Sequence, residues 1–312
     1  MLAATGAATL AAPPALALLA LADLGRGRVR LPSVRTYLFV LQYLLNDSAE
    51  IVLAPVYWRR PQFGHRLQCW SVETLARRAE QLLGLRLVIS DDDLAALTPG
   101  PVIVISRHVS LFDASLPGLL YQRQGYSVRG VIMAELLADP GFDLLYPRLG
   151  SVFIPRDDGP RARAAIAAMS DGADNRTALV LFPEGRLFRP SVRDRALARL
   201  AQSDPDRSAR LGRLRHVLPP RSRGFLTLLA SNPDADVVLI DQRGLDRYRR
   251  LADIAADAPM TEPVTVTVKR FHRPELPTEP LDQAAWLDGR WLELDQSLDD
   301  RGQLETDPAR TH

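Results

Sequence analysis

Residues 2–22 are almost wholly apolar (LAATGAATLAAPPALALLALA), and Arg26, Arg28 and Arg30 follow closely. The stretch is nearly long enough to span a bilayer, but it is rich in alanine and carries Pro13-Pro14. No positive region precedes it, as a secretory signal would require. A second amphipathic-to-apolar stretch covers 34–58, with Tyr37, Tyr43, Tyr57 and Trp58 placed to sit at headgroup level. Two readings are open: both segments lie on or in a membrane, or both are ordinary helices packed on the rest of the chain.

From about residue 70 the pattern changes. Residues 71–84 read as a helix that opens on Ser71 and closes at Gly84. Short apolar runs rich in β-branched residues then recur at Val102–Ile105, Val128–Met133, Ser151–Ile154, Ala178–Phe182, Val237–Ile240 and Val264–Val268. Helical periodicity fills most of the gaps, at 114–123, 135–146, 160–170 and 221–231. Strands separated by helices predict βαβ units: an α/β fold with a largely parallel sheet and helices on both faces, preceded by the N-terminal apolar helical segment. The organisation this implies is 1–68 for membrane-associating helices, 69–298 for the α/β domain and 299–312 for a polar tail.

Composition changes this picture little. At 312 residues, 46% hydrophobic and 24% charged, the chain supports a sizeable core. A net charge of +2 argues against a dedicated nucleic-acid binder. All but one of the basic residues are arginine, the exception being Lys269. Eleven arginines fall in 186–223, a run that reads by default as a solvated insertion or, from its place directly after a strand exit, as a contact for a lipid headgroup or cofactor phosphate. The single cysteine, Cys69, rules out an intramolecular disulfide, and the five histidines lack metal-ligand spacing. No bound metal or cofactor is expected.

The chemistry concentrates at strand ends. Absent are the nucleophile elbow G-x-S-x-G, the phosphate loop G-x-x-x-x-G-K-[ST] and the dinucleotide fingerprint. Present is VIVISRHVSLFDAS at 102–115, where a buried strand delivers Ser106, Arg107 and His108 just past its C-terminal end, the edge at which open α/β sheets hold ligands. Asp113 follows His108 by five residues. On one continuous helix the two would stand about 140° apart. If the chain instead turns after His108 and a helix starts near Ser110, the carboxylate folds back beside the imidazole as a base and its orienter. Ser110 and Asp113 equally fit a helix-capping pair.

A second strand exit is FPEGR, 182–186. Here Glu184 projects a carboxylate, and Gly185 permits close approach of backbone N–H groups to a phosphate or oxyanion. A third is GSVFIPR, 150–156, where Arg156 offers a bidentate fork to a phosphate or pairs with a neighbouring Asp157 or Asp158.

In that order and spacing, RHVSLFD, GSVFIPR and FPEGR resemble the glycerolipid acyltransferase family that includes the 1-acylglycerol-3-phosphate acyltransferases. VLPPRSRGFLTLLA, 217–230, is similar to the proline-bearing fourth block of its lysophosphatidate and lysocardiolipin branch. The resemblance covers roughly 85–245. It implies that His108 is the general base and Asp113 its orienter. It also implies that Arg107, Arg156, Glu184, Gly185 and Arg186 bind substrate. The family's Thr-Arg after Glu-Gly is here Arg186-Leu187, which bears on acceptor choice. The implied reaction moves a fatty acyl group from acyl-CoA or acyl carrier protein to the hydroxyl of a lysophospholipid, with 1-acylglycerol-3-phosphate as the leading acceptor. The alternatives are another lyso-lipid acceptor or a non-catalytic lipid-binding protein. The implied location is the cytoplasmic face of the cell membrane, and the implied partners are the two lipid substrates and the membrane surface.

Overall fold

The computed structural model describes residues 1–155 and 159–305. Its first helix, α1 (Leu2–Gly25), runs unbroken through Pro13 and Pro14. The carbonyls of Thr9 and Leu10, deprived of intrahelical partners by the proline nitrogens, belong to exposed residues that water reaches. α2 (Pro32–Val52) folds back along α1. Polar ties hold the pair: Tyr37 donates to the Ala8 carbonyl at 2.7 Å, Ser48 to Thr5 Oγ1 at 2.8 Å, and Ser33 to Asp23 at 2.8 Å. Among the described residues α1 is the one helix long and apolar enough to cross a membrane, and most of it lies uncovered by the rest of the chain.

α3 (Ala54–Arg59) and α4 (Pro61–Leu83) lead into the sheet. The expected division at residue 68 falls in the middle of α4, which starts ten residues before Ser71 because Pro61 opens it. The order that follows is β1 (Leu87–Ile89), α5 (Asp91–Ala95), β2 (Val102–Ser106), α6 (Leu116–Arg123) and β3 (Ser127–Met133). Where periodicity predicts one helix over 135–146, the chain forms a 3-10 turn (Ala134–Ala138), α7 (Pro140–Leu145) and a second 3-10 turn (Tyr146–Leu149). The cause is Pro140: Asp139, which precedes it, is extended at φ −92°, ψ 114°, as a residue before proline prefers.

β4 (Val152–Ile154), α8 (Pro160–Ala168) and β5 (Thr177–Leu181) come next, then α9 (Pro190–Ser203) and α10 (Pro205–Leu211) inside the arginine-dense run. α11 (Ser222–Ser231), β6 (Asp236–Arg243), α12 (Leu251–Asp257), β7 (Val264–Phe271) and α13 (Pro280–Glu305) complete the fold. The helix α13 extends past residue 299, where a polar tail is expected.

The seven strands lie in the order β1-β7-β6-β2-β5-β3-β4. All neighbours are parallel except β6 and β7. Alternation sorts the strand residues onto two cores. Ile103, Ile105, Leu179, Leu181, Val237 and Leu239 face Phe225 of α11 and Trp291 of α13. Val102, Val104, Ala178, Val180, Val238 and Ile240 face Leu116, Leu120 and Tyr121 of α6. With helices on both faces, the central strands read as continuous apolar runs.

The arginine-dense run is a tied-down part of the fold. Arg207 of α10 forms a two-pronged pair with Asp288 of α13, both contacts at 2.7 Å. Asp295 accepts the backbone N–H groups of Arg215, His216 and Val217 at 2.9, 2.6 and 3.2 Å.

Candidate active site

The parallel strands β2 and β5 end side by side next to β6, so the residues that follow them converge on one edge. β2 delivers His108 and β5 delivers Glu184. β6 runs beyond the end of β2 because β7 continues to pair with it as far as Arg243.

After His108 the chain does not enter a helix. Residues 111–115 form turns, and α6 starts only at Leu116, with Pro117 in its first turn. These turns carry Asp113 back over the strand end. Its Oδ1 lies 2.5 Å from His108 Nδ1, while Oδ2 accepts the backbone N–H groups of Val109 and Ser110 at 2.5 and 2.8 Å. Asp113 therefore anchors a turn and contacts the histidine at once, and it is not at the third position of a helix. Its side chain is fully buried, whereas that of His108 is 21% exposed. Because a carboxylate can only accept, the proton of the neutral imidazole sits on Nδ1 and leaves Nε2 as the basic atom. Phe182 lies against the imidazole with ring centroids 4.8 Å apart.

Glu184 is 2% exposed and does not project into solvent. Its Oε1 accepts His108 N–H at 3.2 Å and its Oε2 accepts Leu218 N–H at 3.0 Å. Burial pushes the carboxyl up to about 8, and Asp113 adds to that rise. The two backbone donors and Arg107 pull the other way without prevailing. A backbone bond from Phe188 N–H to the His108 carbonyl, 2.7 Å, further stitches the two motifs together. Gly185 has φ +63°, the left-handed region that favours glycine. Its own N–H is engaged with the Phe182 carbonyl at 2.9 Å, so that group is not presented to a ligand. Arg186 follows, half-buried.

Arg107 departs from the substrate-contacting position expected of it. It directly follows the last residue of β2 and is 0% exposed, whereas the side chain of His108 beside it is 21% exposed. Its Nη1 and Nη2 reach Asp246 at 2.9 and 3.1 Å, and its Nε lies 2.9 Å from Asp241 Oδ1. Nε also meets the Gln242 side-chain oxygen at 3.0 Å, and Nη2 donates to the Gln242 carbonyl. Burial alone would weaken the guanidinium's hold on its proton, but Asp246 and Asp241 more than offset it. Arg156 lies outside the described residues; in sequence it follows the end of β4 by two positions.

Sequence reasoning singled out none of Asp241, Gln242 and Asp246. The available signal was an abrupt Asp-Gln pair closing the apolar run VVLI of β6, a polar interruption where a central strand otherwise stays apolar.

A family profile described as Acyltransferase matches residues 88–233. That span holds the His108–Asp113 pair and both strand exits. Among solved structures the chain is similar to "Crystal Structure of the 1-acyl-sn-glycerophosphate (LPA) acyltransferase, PlsC, from Thermotoga maritima", at 17% identity and a TM-score of 0.48, with 86% of this chain and 98% of that chain covered. No curated protein matches. Over the stretch that encloses its strand-end histidine and aspartate, the chain is similar to the acyltransferase family.

Proposed function

We propose that the protein transfers a fatty acyl group from an acyl thioester, acyl-CoA or acyl carrier protein, to the free hydroxyl of a lysophospholipid, with 1-acylglycerol-3-phosphate the leading acceptor. The observation that carries this reading is the 2.5 Å contact between His108 Nδ1 and Asp113 Oδ1, which leaves Nε2 free at the sheet edge. A thioester is already activated. The enzyme needs a base for the acceptor hydroxyl and stabilisation of the developing oxyanion, and neither a metal nor a covalent nucleophile is obligatory. In this reading Nε2 takes the hydroxyl proton as the oxygen attacks the thioester carbonyl. Asp113 stabilises the imidazolium, and the proton leaves with the departing thiolate.

Arg156 and Arg186 are the proposed contacts to the acceptor's phosphate. Glu184 holds the two strand exits in register. Arg107 drops out of the substrate-binding set because its guanidinium is consumed inside the fold. The uncovered apolar stripe of α1 supports work at a membrane surface, and the side we propose is the cytoplasmic one. A second acceptor class, another lyso-lipid, is favoured by one feature, the Arg186-Leu187 pair in place of Thr-Arg. Incubation of the purified protein with labelled acyl-CoA and a panel of lyso-lipids, read by product analysis, decides between them. Diacyl product from lysophosphatidate is the expected outcome, and no acylated product from any acceptor overturns the reading.

A further inference from the structure

Behind Asp113 lies a row of buried polar side chains for which acyl transfer, as written above, has no direct use. Gln242 and Arg107 are both 0% exposed, as is Asp113 in front of them. Gln242 Nε2 donates to Asp113 Oδ2 at 2.9 Å, and Gln242 Oε1 accepts from Arg107 Nε at 3.0 Å. Chemistry fixes the orientation of this amide. Arginine can only donate and a carboxylate can only accept, so the reversed amide would set donor against donor and acceptor against acceptor. Arg107 is in turn held by Asp246 through both terminal nitrogens.

From these contacts we infer that Gln242 is a positioning residue for the catalytic pair, with Arg107 as its support. The inference rests on the reading of His108 as base. Asp113 sits on a turn, where nothing in regular secondary structure fixes its carboxylate rotation. Val109 and Ser110, which also hold Oδ2, belong to that same turn and move with it. Among the described residues Gln242 is the one donor to Oδ2 that comes from the sheet. It stands two positions past Ile240, as His108 stands two positions past Ser106 at the end of β2, and its backbone is clamped by pairing with Val266 of β7. It therefore ties Asp113 to the rigid frame that also delivers His108. With Oδ2 committed, Oδ1 is the atom that meets Nδ1, and the imidazole tautomer is set.

The test compares wild type, Gln242→Leu, Gln242→Met and His108→Ala in the intact chain. Kinetics are run alongside 15N NMR of protein labelled at its five histidines. The His108→Ala spectrum identifies the His108 signals. In wild type the neutral imidazole carries its proton on Nδ1. In Gln242→Leu a mixture of tautomers appears and kcat falls about 10- to 100-fold, as for a misplaced catalytic group, with KM within about twofold. Gln242→Met keeps the length of the side chain while losing the donor, so it reproduces the tautomer mixture even if the leucine variant folds poorly. Wild-type tautomer and kcat in either folded variant overturn the inference. If wild type transfers no acyl group, the proposed function fails, while the NMR comparison still decides whether Gln242 orders the pair.

Discussion

His108 Nδ1 and Asp113 Oδ1 stand 2.5 Å apart across a five-residue turn, while the other aspartate oxygen is shared among two backbone donors and Gln242. A carboxylate held this way is a fixed partner for the imidazole. The arrangement predicts that His108→Ala lowers acyl transfer by about 100- to 10,000-fold, the usual contribution of a general base. Far-ultraviolet circular dichroism and Tm should stay near wild type, because the His108 side chain is partly exposed. Turnover undiminished in that variant would show that another group activates the acceptor.

Glu184 holds two backbone N–H groups from two different loops. Glu184→Ala orphans both, at a cost of about 2–4 kcal/mol by the penalty for unsatisfied buried donors. Urea denaturation at neutral pH measures it. A loss below 0.5 kcal/mol would mean that water replaces the carboxylate at little cost.

At the seam between α2 and α7, carboxyls from Asp47, Glu50 and Asp139 lie close together, and Tyr43 donates to Asp139 at 2.5 Å. Burial pushes Glu50 up to about 7, with Asp139 adding to the rise and a hydrogen bond from Ser71 opposing it. The folded state thus binds a proton that the unfolded chain releases above about 4.5. The stability associated with Glu50 is fully present below that value and is lost as pH rises through about 7. Glu50→Gln should match wild type near pH 4.5 and exceed it near pH 8, by up to about 3 kcal/mol. Chemical denaturation at the two values tests this, and a constant difference between them contradicts it.

Arg156→Ala should weaken phosphate-bearing acceptors selectively, by about 1.5–3 kcal/mol, the range for a charged hydrogen bond. The comparison is KM for lysophosphatidate against that for an uncharged acceptor. An equal loss for both would remove Arg156 from the phosphate site.

Leu10, Leu18, Leu21 and Leu24 of α1 are 83%, 68%, 67% and 53% exposed and fall on one side of the helix. Replacing Leu10, Leu18 and Leu21 together by Glu should reduce co-sedimentation with anionic phospholipid vesicles at least about tenfold, given the apolar area withdrawn from lipid. Because these side chains touch little of the protein, Tm should hardly move. Vesicle binding equal to wild type would place the membrane contact elsewhere.

Periodicity alone located six of the seven strands, since buried central strands are continuous apolar runs and no helix needs that pattern. The exception, β1, is three residues long and half-exposed, too short to leave a period. His108, Asp113, Glu184 and Gly185 stood out as candidates, because strand ends in an α/β sheet are where chemistry is placed, and the resemblance to a known family gave them their proposed roles. What the sequence could not decide was which way each side chain turns and what lies beside it across the sheet. His108 and Arg107 are adjacent in the chain just past β2, yet one is part exposed at the strand end and the other lies in a buried cluster. Gln242 lies more than a hundred residues from Asp113 and reaches it only because β6 pairs with β2 and outruns it. The chain itself determined the candidate base and its aspartate. Strand order and register, which depend on contacts distant in sequence, decided what holds that aspartate in place.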